Sequence, residues 1–147
     1  MEFNEEQQSP ILFFVFIFVV MALIVAMFAL NEGEPLNLII FSTIFFLALI
    51  YVLFGKLITV VELNEIQLSF GVGIINKQIK ISKIASVECV RNKWWYGYGI
   101  RLTSHGWMWN MKGLDAVELT FKESGKKFRI GTQRSEELTA ILRNKIS

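Results

Sequence analysis

The sequence predicts two parts in series: an N-terminal transmembrane α-helical hairpin, then a β-barrel or bent sandwich of about seven strands with one C-terminal helix. Three observations carry that reading. Residues 11–54 hold only two charged side chains, Glu32 and Glu34, although 19% of the chain is charged. From Leu57 onward apolar residues recur with a period of two, as on half-buried strands. All 15 lysines and arginines lie at Lys56 or later, against 8 acidic residues there, so this part is formally 15 − 8 = +7.

Ile11 to Leu30 is an unbroken apolar run of 20 residues with five phenylalanines. At about 1.5 Å per residue it reaches roughly 30 Å, the thickness of a hydrocarbon core. A signal peptide would start basic and have a shorter apolar region. Here Glu2, Glu5 and Glu6 make the start acidic, so the run reads as a retained span and residues 1–10 as an N-terminal tail. The second span covers 36–54, where Ser42 and Thr43 can bond back to the preceding turn. Asn31 to Asn37 is short enough only for a tight turn.

Two spans place both termini on one side of the membrane. The connector carries no cation while Lys56 follows the second span at once, which favours a cytoplasmic C-terminal domain in an inner or plasma membrane. Neither span contains Asp, Glu, Lys, Arg or His, which argues against a transporter acting alone. Ala22, Ala26 and Ala29 share one helical face and are expected to pack within the hairpin.

Residues 55–147 form the second domain. Leu57–Leu63 and Ile66–Phe70 read as a hairpin turning at Asn64-Glu65. Ile74-Ile75 and Gln78–Ile81 continue the alternation, interrupted by Asn76-Lys77, and Ile84–Val90 is a further strand. Gly97–Leu102, Gly106–Asn110, Ala116–Phe121 and Lys127–Ile130 follow. The end is helical: Ser135 suits the cap, Glu136 and Glu137 the first turn, and Leu138, Ile141, Leu142 and Ile146 fall on one face.

Catalytic chemistry finds little support. One cysteine and one histidine make no metal-ligand cluster, so no metal and no cofactor are expected. Cys89 lies among apolar neighbours and reads as a small buried residue, His105 as a solvated turn residue. Gly71-Val-Gly73 lacks the third glycine and following helix of a dinucleotide fingerprint. Gly97-Tyr-Gly99 lies far beyond the second span, where a potassium filter would not be. The chain does not read as an enzyme.

The richest segment is Arg91-Asn-Lys93-Trp94-Trp95-Tyr96. Two cations beside three rings suit the headgroup layer, where rings insert and cations pair with phosphates. The alternative is that one or both tryptophans fold back onto the core. Stacking on nucleic-acid bases uses the same residue types but suits a tethered domain poorly. Trp107 and Trp109 share one strand face and are expected in the core. Lys127 and Arg129, with Lys122, are expected to form a second, exposed basic edge.

Tyr96-Gly-Tyr-Gly-Ile-Arg101, Gly106-Trp107 with Asn110, Ala116-Val-Glu118 and Phe128-Arg-Ile-Gly-Thr132 together resemble the pattern of bacterial PH-domain membrane proteins (pleckstrin-homology-like). The resemblance covers roughly residues 55–147. It implies a PH-like fold without enzymatic activity. Phosphoinositide-binding PH domains carry basic residues around their first hairpin turn, where this chain has Glu62, Asn64 and Glu65. The expected function is therefore a membrane-anchored module that binds an anionic lipid headgroup or a protein partner, possible self-association included. The alternative is an accessory or assembly subunit of a membrane complex, with the hairpin as the recognition element and the domain as an oligomerising cap.

Overall fold

A computed structural model describes residues 2–30 and 34–147. Helix α1 (Pro10–Leu30) and helix α2 (Glu34–Phe54) have mean hydropathies of 3.3 and 2.5 over their most apolar windows. Both are long and apolar enough to cross a membrane. Their side chains are left largely uncovered, and Ile40 is the sole buried residue among the described residues of the two helices. Ser9 caps α1 by accepting the Leu12 amide at 3.3 Å, and Pro10 follows at the first helical position, where its missing N–H costs nothing. Ser42 and Thr43 each donate to a carbonyl four residues back, at 2.8 Å.

Part of the expected turn at 31–37 is helix instead. Residues 31–33 lie outside the described residues, and Glu34 to Asn37 already form the first turn of α2. Pro35 favours helix there because its φ is preset. Of the alanine face expected to pack within the hairpin, only Ala26 is half-buried, while Ala22 and Ala29 are exposed. Contact between the helices instead includes Tyr51 stacked on Phe16, with ring centroids 4.9 Å apart.

The remainder comprises nine strands in two sheets rather than about seven. The first sheet is an antiparallel meander of β1 (Phe3–Gln8), β2 (Lys56–Val61), β3 (Glu65–Phe70) and β4 (Ile75–Lys80). Strand β1 corrects the reading of residues 1–10 as a tail. It pairs with β2 from Phe3↔Val61 to Gln8↔Lys56, on the far side of both helices in the chain. Phe3, Glu5 and Gln7 point inward: Glu5 accepts from the Thr132 hydroxyl, and Gln7 donates to the Gly131 carbonyl at 2.7 Å. Strand β4 is continuous through Asn76-Lys77. It is an edge strand, where an inward-pointing charge is tolerated, and Lys77 lies 5.3 Å above the Phe128 ring.

The second sheet holds β5 (Ile84–Arg91), β6 (Gly99–Thr103), β7 (Gly106–Asn110), β8 (Asp115–Phe121) and β9 (Lys127–Gly131), in the order β5-β8-β9-β7-β6. All its pairings are antiparallel except β7 with β9. Strand β9 crosses the first sheet from Phe128, beneath Lys77 of β4, to Gly131, bonded to Gln7 of β1. Between the sheets lies a single core that includes Leu57, Ile66, Leu68, Phe70, Leu119 and Ile130. Helix α3 (Ser135–Ile146) closes it with Leu138 and Leu142, while Lys145 reaches Glu2 at 2.8 Å. Ser135 is the first helical residue rather than the cap: Arg134 precedes the helix and bonds Glu137.

No linker separates the sheets from the helices. The Gly55 amide bonds the Tyr51 carbonyl at 2.6 Å, and β2 starts at the next residue. Phe54 of α2 lies 6.2 Å from Phe70 in the core, which in turn lies 5.2 Å from Trp109. The hairpin end and the domain therefore pack as neighbours.

Candidate functional site

Strand β5 ends at Arg91, and the next residue is the anchor of the site. Asn92 is buried; its amide bonds Leu114 at 2.7 Å and its side-chain oxygen accepts from Arg129 at 3.1 Å. Further on, the Tyr98 carbonyl accepts from Arg101 at 3.0 Å, and the Tyr96 hydroxyl lies 3.3 Å from that of Ser104. These three ties lay the segment 92–98 across the outer face of the second sheet. In register, that face carries Glu118, Arg129, Met108 and Arg101 in a row.

Held this way, the intervening side chains cannot reach the core. Trp94 and Trp95 are 76% and 59% exposed, which rejects the alternative that they fold inward. They sit on a short 3-10 turn closed by the Tyr96 amide on the Lys93 carbonyl, 3.0 Å. The two indoles meet edge to face at 5.7 Å, and Trp95 meets Tyr96 in the same way at 6.3 Å. Lys93 places its ammonium 5.1 Å from the centroid of Trp95. Arg91 and Lys93 are exposed, and neither makes an ion pair among the described residues. The result is an exposed aromatic ridge with Lys93 against one of its rings, and with Arg91 exposed at the end of β5, opposite Asp115 in register.

Arg101 is a third exposed cation in this neighbourhood that the sequence reading missed. The signal for it is register: on β6 it opposes Met108, on the face that the loop covers.

The second basic edge does not exist as expected. Lys122 and Lys127 are exposed, but Arg129 is 7% exposed and bonds the buried Glu118 at 2.7 Å. The overlying Asn92 segment removes that row from water. Burial pushes the Glu118 carboxyl up, but hydrogen bonds from Lys127 and Arg129 outweigh it and hold the group below the usual carboxylate range. Lys122 also lies beyond the opposite end of β8 from Asp115, the partner of Arg91, about 20 Å away along the strand. The two basic groups are separate.

Two further expectations change. Trp109 is buried, but Trp107 is 52% exposed. Its cross-strand partner is the exposed Leu102 near the hairpin tip, whereas Trp109 opposes Ile100, which packs on the core. Cys89 is exposed, not buried: it lies on the outermost strand of its sheet, with its sulfur 3.0 Å from the Thr139 hydroxyl of α3. His105 is an exposed turn residue, as expected. Comparison with protein-family models and with curated proteins finds no match.

Proposed function

We propose that the chain is a noncatalytic, membrane-anchored module whose Arg91–Tyr96 ridge binds anionic lipid headgroups at the membrane face. The observation that carries this is the exposure of Trp94 and Trp95 on a pinned turn, with Lys93 against Trp95 and Arg91 exposed at the end of the preceding strand. Exposed large rings are costly in water, and a cation-flanked pair of indoles is chemically suited to the headgroup layer. Attachment to two apolar helices without a linker keeps the ridge within reach of one bilayer surface. Two packed sheets closed by a C-terminal helix support a PH-like classification. Here an additional strand from before the helices, β1, is built into the first sheet.

In this reading α1 and α2 span the membrane and the domain is cytoplasmic, supported by the uncharged spans and by Lys56 at the end of the second. A cysteine placed at Gly33 should then react with an impermeant thiol reagent on intact cells. The exposed Cys89 should react only after permeabilisation, and labelling of Cys89 from outside would reverse the orientation.

The headgroup assignment is tested on the full chain in nanodiscs. Tryptophan emission should shift to the blue when anionic lipid replaces zwitterionic lipid, and Arg91→Ala with Lys93→Ala should abolish that shift. Emission independent of lipid charge would refute lipid binding by the ridge. A second reading, an accessory subunit recognised through its hairpin, draws on the exposed Ala22 and Ala29, where another helix can approach closely.

A further inference from the structure

The turn between β3 and β4, residues 71–74, is the segment that the function above leaves unused. Its first residue is Gly71, at φ +54°, whose amide bonds the Lys56 carbonyl at 2.9 Å. A Cβ there would collide with the Val52 carbonyl oxygen and lie 2.5 Å from that of Leu53. Only glycine lets the turn's backbone sit directly against the last turn of α2. The turn is closed by the Gly73 amide on the Phe70 carbonyl, 2.9 Å, and by the Asn76 side chain on the Gly73 carbonyl, 3.0 Å.

What this rigid turn presents is apolar. Val72 is 63% exposed and Ile74 is 72% exposed, with Gly73 between them. Elsewhere in the first sheet the inward residues of β2 and β3 are buried and their outward ones are mostly polar or half-buried. The level of the turn is fixed by its neighbours. Val52 and Leu53 belong to the apolar stretch of α2, and Val72 lines the same hollow as Tyr51, Val52 and Lys56. If α2 crosses a bilayer, the boundary between hydrocarbon and headgroups falls at this height, between Tyr51 and Lys56.

We infer that Val72 and Ile74 form a third membrane contact, dipping into the interfacial layer of the bilayer beside the two helices. The occupant of this apolar tip is lipid, because the tip is continuous with the lipid-facing end of α2 and carries no charge. This rests on the membrane reading of the hairpin. With α1, α2 and the turn all engaged, the domain is held at three points and its tilt on the membrane is set, so the orientation of the Trp94–Trp95 ridge is set too.

The test uses the full chain with Cys89→Ser, reconstituted in vesicles with and without brominated lipid. An environment-sensitive fluorophore is attached to a single cysteine in turn: Val72→Cys, Ile74→Cys, Phe18→Cys in mid-α1, and Leu63→Cys. Leu63 is 77% exposed at the opposite end of the first sheet. Emission at positions 72 and 74 should be blue-shifted and quenched by brominated lipid, as at 18, while 63 stays unquenched. Quenching at 18 with positions 72 and 74 behaving like 63 would overturn the third contact and leave the spans intact. No quenching at 18 would remove the membrane reading itself and the inference with it.

Discussion

The two sheets bury their residues in different ways, and the difference explains which parts of the molecule act as surface. In the first, β2 and β3 alternate strictly between buried and half-buried positions, because the outer face meets solvent. In the second, four consecutive residues of β8, Ala116 to Leu119, are buried, and so are four of β9, Phe128 to Gly131. These are interior strands, with the core on one face and, on the other, the segment that starts at Asn92. Covering that face turned Glu118 and Arg129 into an internal ion pair and pushed Trp94 and Trp95 outward. A two-sided sheet thus moved the exposed aromatic and basic groups from the strands to the loop above them.

The largest break in this comparison comes from the first sheet. Residues 56–147 alone lack β1, leaving the inward pockets of Phe3, Glu5 and Gln7 empty and Thr132 without its acceptor. Such a fragment should fail to give a cooperative unfolding transition. Because Gln8 pairs with Lys56, joining residues 2–8 to 56–147 through Asn-Gly, a two-residue hairpin sequence, should restore one. Equal stability of the two fragments would mean that β1 is dispensable.

The second sheet should respond most sharply at its covered face. Glu118→Ala leaves Arg129 buried without its counter-charge and should destabilise the domain by about 3–5 kcal/mol in chemical denaturation. Replacing both partners, Glu118→Leu with Arg129→Met, should cost much less. The pair also gives a pH signature. Since the folded Glu118 pKa is depressed, its contribution is fully present above the unfolded carboxylate value and is lost as pH falls through the folded one. Glu118→Gln should flatten that part of the acid limb, and an unchanged acid limb would show that the pair is not coupled to folding.

The same contrast decides what the sequence made legible. Both helices, the C-terminal helix and most of the strands after the helices follow from periodicity and apolar length, as with the alternating Leu57, Thr59 and Val61. Strand β1 was hidden because Glu5 and Gln7, polar residues, occupy its inward positions, where their partners are Thr132, Gln133 and Gly131, more than 120 residues away. Arg129 was misplaced for a related reason: alternation puts it opposite Ile130, but nothing local reveals that Asn92 covers it. The Arg91–Tyr96 cluster was visible as composition. Its exposure was not, since a pair of adjacent tryptophans reads equally as core until the ties at Asn92, Tyr96 and Tyr98 are known.

The smallest effects on stability belong to that ridge, and there the central claim is most directly measured. Trp94→Ala and Trp95→Ala should change the stability of the linked domain by no more than about 0.5 kcal/mol, because both rings are already in water. Binding of that domain to vesicles rich in anionic lipid should behave differently. Removing Arg91 and Lys93 should weaken it roughly 30-fold, at about 1 kcal/mol per cation. The cationic part should fade as the screening length falls from about 10 Å at 0.1 M salt to about 3 Å at 1 M, while the loss from the two tryptophans persists. Vesicle binding that is unchanged in a folded variant lacking Arg91, Lys93, Trp94 and Trp95 would contradict the account.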